Sequence, residues 1–298
     1  MASSSKRDLR LCPTRRAATA GLLAATLGGQ ALAADGLGAR CAAIEARLGG
    51  RIGVVALQPS TGRRAGWRPH ERFPMCSTFK LLAAADVLSR VDAGRERLDR
   101  NVPYGEKDLL DYAPVTRAHV KEGAMTLGAL CAAMVELSDN TAANLVLAGI
   151  GGPQGYTRFV RRIGDGFTRL DRTEPELNSA LPGDPRDTTT PEAMAGSLER
   201  VLLGPVLSPA SRALLVHWLK EGKVGAQRLR SGLPAGWTAG DKPGTGAKGS
   251  TNDIGILWPP GGGPILATAY FTGSEAPLEA REAALAEVGR AISAWSAA

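Results

Sequence analysis

Ser77-Thr78-Phe79-Lys80 opens an apolar run that continues to Leu88 with helical spacing. A serine at the start of a helix has its hydroxyl and its backbone N–H at the positive end of the helix dipole. Lys80 lies one turn later on the same face, and a buried lysine can act as a base. Alone the pattern is weak, because Ser3-Ser4-Ser5-Lys6 repeats its spacing. The segment predicts a nucleophilic serine only if other elements support it.

The rest of the chain predicts an α+β fold. Short apolar runs typical of strands occur near both ends, at residues 51–57, 65–68, 253–258 and 265–271. Helical patterns occupy the middle and the C-terminus, at residues 79–88, 127–137, 141–148, 211–219 and 278–295. We therefore expect an antiparallel sheet subdomain from about residues 40–75 and 220–298, and a largely helical subdomain from about residues 76–219.

The N-terminus has the pattern of a signal peptide. Five basic residues precede the small-residue apolar run 17–34, which ends in Ala33-Ala34. We predict cleavage near that pair and export to the periplasm, with residues 35–298 as the mature domain. Thr14-Arg15-Arg16 favours the twin-arginine route, and an ordinary secretory signal that contains two arginines is the alternative.

Charge and hydropathy exclude two classes of partner. The chain has 36 Lys and Arg against 29 Asp and Glu, but residues 1–34 contain five of the bases and one of the acids. The mature chain is then close to neutral, so its composition does not predict nucleic-acid binding. No segment reaches the roughly 18 uninterrupted apolar residues of a membrane helix. After signal removal we expect no membrane association.

The sequence contains no metal-site or cofactor motif and no nucleophile elbow of a Ser-His-Asp hydrolase. Cys41, Cys76 and Cys131 form no Cys-x-x-Cys pair, and the three histidines form no His-Glu-x-x-His motif. There is no Gly-x-Ser-x-Gly elbow. Residues 244–249 match a dinucleotide-binding glycine pattern, but a strand pattern follows them where that motif needs a helix. We predict no metal site and no cofactor.

Three further elements follow the serine. Ser138-Asp139-Asn140 separates two helical patterns, where these residue types are also typical helix caps. Glu174-Pro175-Glu176-Leu177-Asn178 lies in residues 172–191, whose five prolines and glycines predict an ordered Ω-type loop. A cis bond before Pro175 would set its turn. Lys242-Pro243-Gly244 begins a predicted strand.

In this order the four elements resemble the active-site set of class A serine β-lactamases, from about residue 40 to the C-terminus. The resemblance implies hydrolysis of the β-lactam amide bond of antibiotics through an acyl-enzyme on Ser77, which confers β-lactam resistance. It implies small-molecule β-lactams as the partners and no cofactor. We expect a monomer, which the sequence itself does not encode.

The resemblance assigns roles to the helical side of the site. Ser138 relays a proton to the leaving nitrogen, and Asn140 hydrogen-bonds Lys80 and the substrate's side-chain amide. Glu174 and Asn178 hold the water that hydrolyses the acyl-enzyme, and either Glu174 or Lys80 is the base for acylation.

It also assigns roles on the strand side. Lys242 attracts the substrate carboxylate and supports Ser138, while the N–H groups of Ser77 and Thr245 form the oxyanion hole. Arg228 matches an arginine that lies beneath this strand, with a surface arginine as the alternative. Tyr112 resembles an aromatic residue at the mouth of the cleft, with ordinary packing as the alternative. Arg172 and Asp187 would pair across the neck of the loop.

Two positions depart from relatives. Pro243 replaces a hydroxyl residue that binds the substrate carboxylate, so we expect weaker carboxylate binding, partly replaced by Thr245, Ser138 and Arg228. An edge strand tolerates proline there. Some carbapenem-hydrolysing relatives bridge the cysteine at position 76 to a second cysteine, but Gly246 occupies the matching position, so we expect no bridge.

Two alternative functions share the serine motif. A cell-wall DD-peptidase has the serine, lysine and Lys-Thr-Gly elements but lacks the loop glutamate and asparagine. A non-catalytic β-lactam sensor domain stays acylated and is attached to a membrane segment. Glu174 and Asn178 therefore favour the hydrolase.

Overall fold

The computed structural model describes residues 1–2 and 36–297. The signal peptide predicted for residues 1–34 therefore lies outside the described residues, apart from Met1 and Ala2. No helix of the described part is both long enough and apolar enough to cross a membrane.

A five-stranded antiparallel sheet forms the centre of the fold, with the strand order β2-β1-β9-β8-β7. Its strands come from both ends of the chain, as predicted: β1 Arg51–Gln58, β2 Arg63–Trp67, β7 Thr238–Thr245, β8 Thr251–Trp258 and β9 Ile265–Thr272. Short pairs lie outside the sheet: β3 Phe73–Pro74 with β6 Thr188–Thr189, and β4 Asn101–Pro103 with β5 Ala124–Thr126. The order leaves β7 as an edge strand.

Helices cover both faces of this sheet. Their bounds are α1 36–48, α2 Phe79–Asp92, α3 Pro114–Ala118, α4 Leu127–Glu136, α5 Asn140–Ile150, α6 Gly152–Arg162, α7 Pro191–Leu202, α8 Pro209–Lys220 and α9 Leu278–Ala297. The predicted helices are confirmed and several extend further. Helix α1 was not predicted, although Leu37, Cys41 and Ile44 have helical spacing and are buried against the sheet.

Two hydrophobic cores explain why the central strands are apolar throughout. Side chains of α1 and α9 pack on one face of the sheet. The other face joins the core of the helical region, which includes α2, α4, α5 and α7. Strands covered on both faces bury every position, as β9 does.

Helix α2 is the central helix of the helical region. Every residue from Phe79 to Leu88 is buried, including the charged Lys80 and Asp86, so protein encloses this helix around its whole circumference. The segment just before it contacts the edge strand β7. The predicted nucleophile therefore lies at the junction between the helical region and the sheet.

The predicted Ω-loop is tied at its neck. Asp187 accepts a hydrogen bond from Arg172 Nε at 2.6 Å, which confirms the predicted pair. The Glu174–Pro175 bond is cis, as proposed from the sequence. Within the loop, residues Glu176–Asn178 form one turn of 3₁₀ helix.

Candidate active site

Ser77 lies in a 3₁₀ turn, Cys76–Thr78, that leads directly into α2. Cys76 has a φ of +47°, a conformation that L-residues rarely adopt, and this turn redirects the chain just before the serine. Ser77 Oγ lies 3.4 Å from Glu174 Oε1. The serine hydroxyl is thus in contact with a carboxylate from the Ω-loop.

Lys80 is fully buried and holds three segments together. Its Nζ donates to Ser138 O at 2.8 Å and to Asn140 Oδ1 at 2.7 Å, and it lies 3.0 Å from Glu174 Oε1. With Ser138 Oγ at 3.3 Å there are four acceptors for the three N–H groups of an ammonium, so the longest of these contacts is shared. Burial lowers the pKa of Lys80, and the Glu174 carboxylate opposes that shift. Because the net effect is a lowered pKa, the charged and neutral forms of Lys80 are closer in free energy than in a free lysine, which favours proton transfer.

Ser138 Oγ lies between two lysines. It is 3.3 Å from Lys80 Nζ and 3.2 Å from Lys242 Nζ, and both ammonium groups can donate to it. Burial lowers the pKa of Lys242 well below its usual range, and the neighbouring Lys80 charge adds to the effect. With both lone pairs accepting, the Ser138 proton is left free to point into the cleft.

Asp139 caps α5, so the capping interpretation of this motif is correct for its middle residue. The buried carboxylate accepts from Ala142 N at 2.8 Å, and from Val115 N at 3.0 Å and Thr116 N at 2.9 Å. Ser138 and Asn140, on either side, contact Lys80 instead. Capping fixes the backbone that aims its two neighbours at the lysine.

Glu174 is buried and held from both its side chain and its backbone. Asn178 Nδ2 donates to Glu174 Oε2 at 2.5 Å. Asn144 bonds the Glu174 backbone twice: its Nδ2 donates to Glu174 O at 2.9 Å, and its Oδ1 accepts from Glu174 N at 2.9 Å. Sequence analysis missed Asn144, whose signal was its position one helical turn after Asn140 on α5.

Strand β7 forms the opposite wall. Gly246 N donates to Ser250 O at 3.1 Å, so the N–H of Gly246 points toward the β8 side. Because backbone groups alternate in direction along an antiparallel strand, the N atoms of Thr245 and Pro243 point away from β8. Pro243 therefore removes no ladder bond, as expected. A Cβ added to Gly244 would lie 2.8 Å from Met75 O and 3.2 Å from Ser77 N, so glycine lets the strand approach the nucleophile.

Arg228 lies beneath β7, and the surface alternative is wrong because the residue is only 4% exposed. Its guanidinium donates to Gly244 O at 2.9 Å and to Thr245 Oγ1 at 2.6 Å, and its Nε pairs with Glu282 at 3.2 Å. A buried cation thus supports the Thr245 hydroxyl.

Seven of the ten predicted site residues line one cleft of about 280 Å³, and the other three contact residues that line it. The cleft is lined by Ser77, Tyr112, Ser138, Asn140, Asn178, Val224, Gly225, Arg228, Pro243 and Thr245. The other three lie behind these lining residues: Lys80 contacts Asn140, Glu174 contacts Ser77, and Lys242 contacts Ser138. Tyr112 is 47% exposed and lies among these lining residues, as the resemblance implied. No motif marked Val224 and Gly225, which sequence analysis missed.

Cys76 faces Gly246 across the base of the cleft. A Cβ built at Gly246 would lie 2.6 Å from Cys76 Sγ, so this is the position that a bridging cysteine would need. Burial raises the pKa of the Cys76 thiol to about 12, which keeps it protonated and unreactive. Within the described ranges, no three His, Cys, Asp or Glu side chains are placed to hold a metal ion.

Two buried carboxyl groups lie side by side beneath Lys242. Asp241 on β7 pairs with Arg230, and Asp253 on β8 accepts from Leu229 N at 3.1 Å. Burial, and the neighbouring Asp241, raise the pKa of Asp253 well above its usual range. One oxygen of each carboxyl has no other partner among the described residues. We infer that a proton on Asp253 joins the two carboxyls.

Asp253→Asn should therefore change how stability depends on pH. The folded pKa lies above the unfolded one, so the wild-type protein has its full stability below about pH 4 and loses stability as the pH rises toward the folded pKa. Asparagine can donate the same bond without titrating. We expect the variant to gain on the wild type by up to about 1.4 kcal/mol per pH unit over this window.

Urea unfolding between about pH 4 and pH 8 measures this effect. Asp99→Asn is the matched control, because the Asp99 side chain is 77% exposed and pairs only with exposed Arg97. Parallel pH curves for wild type and Asp253→Asn would contradict the shared proton.

The comparisons with known proteins agree with this geometry. The family described as "Beta-lactamase enzyme family" matches residues 37–296. Beta-lactamase L2 of Stenotrophomonas maltophilia is 50% identical over 250 residues, 84% of this chain and 82% of that protein. Beta-lactamase CTX-M-8 of Citrobacter amalonaticus is 46% identical over 253 residues, covering 85% and 87% respectively. The solved structure of an ancestral class A beta-lactamase is 59% identical, with a TM-score of 0.84 over 86% of this chain and 98% of that one.

Proposed function

This chain belongs to the class A β-lactamases, and we propose that it hydrolyses the β-lactam amide of antibiotics through an acyl-enzyme on Ser77. One observation carries the proposal: the Glu174 carboxylate contacts Ser77 Oγ, Lys80 Nζ and Asn178 Nδ2 at once. A base placed beside both the nucleophile and a water-binding amide can serve acylation and hydrolysis in turn.

Acylation begins when Ser77 Oγ attacks the lactam carbonyl carbon. Glu174 Oε1, 3.4 Å away, takes the hydroxyl proton, while Lys80 in this arrangement is already a donor to three acceptors. The carbonyl oxygen becomes an oxyanion bound by the N–H groups of Ser77 and Thr245. As the C–N bond breaks, Ser138 gives its proton to the leaving nitrogen, and Lys80 replaces that proton. Glu174 passes the proton taken from Ser77 to Lys80, 3.0 Å away, so the carboxylate is again free to act as a base.

Deacylation uses the Ω-loop side of the cleft. Glu174 and Asn178 hold a water against the ester carbonyl, and Glu174 takes one of its protons as the oxygen attacks. The ester C–O bond breaks, and Ser77 recovers its proton. The hydrogen bonds of Asn144 to the Glu174 backbone support this geometry because they fix the carboxylate relative to α5.

Substrate binding involves the remaining predicted residues. Lys242, Arg228 and the Thr245 hydroxyl form the positive end of the cleft, where the substrate carboxylate would bind. Asn140 and Tyr112 border the end where the side-chain amide would lie.

Pro243→Thr should strengthen carboxylate binding, because position 243 lines the cleft and a threonine adds a hydroxyl donor there. One hydrogen bond to a charged group is worth about 1.5–3 kcal/mol, so we expect the KM for benzylpenicillin to fall at least about tenfold with kcat nearly unchanged. Pro243→Ala is the control, since it removes the ring without adding a hydroxyl. An unchanged KM in Pro243→Thr, or an equal fall in Pro243→Ala, would refute the hydroxyl's role.

Mixing the purified protein with a chromogenic cephalosporin tests the function itself. A β-lactamase turns over many equivalents, whereas a DD-peptidase or a sensor domain gives a single stoichiometric burst. Ser77→Ala is the control for non-enzymatic hydrolysis. A burst of one equivalent followed by no turnover would reject the proposed hydrolysis.

We also propose that the protein is exported to the periplasm as a monomer and loses residues 1–34 on the way. The basic and apolar pattern of these residues supports export. Mass spectrometry of the periplasmic protein should give a mature chain beginning near Ala34 or Asp35. An intact N-terminus on cytoplasmic protein would contradict this.

A further inference from the structure

A second cavity lies between the Ω-loop and the end of the sheet at which β1 begins and β9 ends. Its volume is about 370 Å³, within the range of small-molecule sites. It has apolar walls, formed by Pro74, Leu177, Leu181, Pro182 and Pro185. Five cations also line it: Arg51, Arg72, Arg172, Arg186 and Lys248. Among residues 36–297, none lines both this cavity and the catalytic cleft. We call it the Ω-loop cavity.

The charges of the Ω-loop cavity are unbalanced. Asp184 is its one acidic lining residue, and that carboxylate is already shared by Arg186 at 2.8 Å and Arg172 at 3.8 Å. Arg72 donates only to neutral acceptors, Phe167 O and Thr188 Oγ1. Lys248 has no ion pair and no side-chain hydrogen bond among residues 36–297. Arg72 and Lys248 therefore bring positive charge that no carboxylate of the described chain neutralises.

The backbone holds Lys248 at this cavity in an unusual conformation. Its φ is +53°, and its carbonyl accepts a hydrogen bond from Gly273 N at 2.7 Å. Such a left-handed conformation costs a non-glycine residue about 1–2 kcal/mol. The neighbouring residue must be glycine, because a Cβ at Gly249 would lie 1.9 Å from Ser274 O. Lysine thus occupies a position where glycine or asparagine would be less strained.

An apolar surface accompanies these charges. Leu181 at the tip of the loop is 48% exposed, although it lies beside the cavity's other apolar walls. A ligand that carried charge alone would leave the apolar surface exposed to water, and a neutral apolar ligand would gain nothing from the positive charge of Arg72 and Lys248. An anion with an aromatic body satisfies both.

We propose that the Ω-loop cavity binds an aromatic carboxylic acid, with the ring on the proline and leucine walls and the carboxylate among Lys248 and Arg72. This site goes beyond the proposed hydrolysis, since it shares no lining residue with the cleft. It adjoins the catalytic loop, because Leu177 lies in its wall and the next residue, Asn178, accepts a backbone hydrogen bond from Ala247 at 2.9 Å.

Titration with naphthoate, followed in amide proton–nitrogen correlation spectra, tests the proposal without using activity. Shifts should centre on the amides of Gly183, Lys248 and Gly273, and the neutral isostere naphthamide should bind at least about tenfold more weakly. Shifts centred on Ser77 and Thr245 would place the acid in the catalytic cleft and overturn the site. Equal binding of the neutral amide would overturn the role of charge.

Two variants and one control identify the cavity residues. Lys248→Glu should weaken naphthoate about tenfold or more, because it reverses one of the two uncompensated charges. Leu181→Ser should weaken it about threefold through lost apolar contact. Lys121→Glu makes the same charge change on an exposed residue that does not line the cavity, and should bind as the wild type does. Equal affinity in Lys248→Glu and Lys121→Glu would refute the site.

Discussion

Glu174→Gln should reduce kcat by about a thousandfold and leave the enzyme stalled as its acyl-ester. General bases contribute roughly 10²–10⁴-fold to rate, and glutamine keeps the size and the contact with Asn178 while losing the base. The two steps respond differently. In the variant, the Glu174 charge no longer opposes the burial that lowers the pKa of Lys80, so a neutral Lys80 can take the Ser77 proton, whereas the hydrolytic water has no such substitute. Deacylation should therefore slow more than acylation.

Intact-protein mass spectrometry should show the substrate's mass added to most of the Glu174→Gln protein within seconds of mixing with benzylpenicillin. Glu176→Gln is the matched control, because it makes the same change at an exposed residue of the same loop and should turn over normally. Undiminished steady turnover in Glu174→Gln would remove Glu174 from the mechanism. Slow turnover without any covalent adduct would move its role to acylation alone.

Sequence reasoning succeeded where function depends on chemistry within a short segment. The serine at the start of a helix with its lysine one turn later, and the Asp139 cap, are fixed by residue types at close spacing, and the structure confirms both placements. The Arg172–Asp187 pair is also confirmed, but the family resemblance implied it. The strands at the two chain ends were also predictable, because their apolar runs are bounded by turn residues. These signals are local.

Contacts that depend on how distant segments of the chain pack together could not be predicted from the sequence. Asn144 is an ordinary helix residue until the Ω-loop folds onto α5 and presents the Glu174 backbone to it. Asp241 and Asp253 lie on different strands, and only the register of β7 with β8 makes them neighbours. Val224 and Gly225 line the cleft because of the path of a loop that carries no motif. Such contacts follow from tertiary packing, which spacing along one sequence does not encode.

Asp187→Ala should slow deacylation by about a hundredfold without removing any group from the cleft. Asp187 is buried, and its carboxylate accepts from Asp171 N at 2.7 Å, Arg172 N at 2.9 Å and Arg172 Nε at 2.6 Å. Alanine leaves these donors unpaired and is less tolerant of the φ of +57° at this position. The loss should also destabilise the fold by about 3 kcal/mol. A displacement of about 1 Å at a catalytic group costs about a hundredfold in rate, and Glu174 is carried by this loop.

Both steps use Glu174, but deacylation depends on it more. Acylation keeps the Ser138–Lys242 contact, which does not pass through the neck, and Lys80 as an alternative base, so acylation should change only a few-fold and the acyl-enzyme should accumulate. Asp187→Asn is the informative control: it keeps an oxygen for the two backbone N–H groups and tolerates the left-handed conformation, but loses the charge that faces Arg172. If the neck acts by holding the backbone, the asparagine variant should deacylate within about tenfold of the wild type. Equal losses in both variants would instead assign the effect to the ion pair, and a wild-type rate in Asp187→Ala would show that the buried contacts of Glu174 with Asn144 and Lys80 position the loop by themselves.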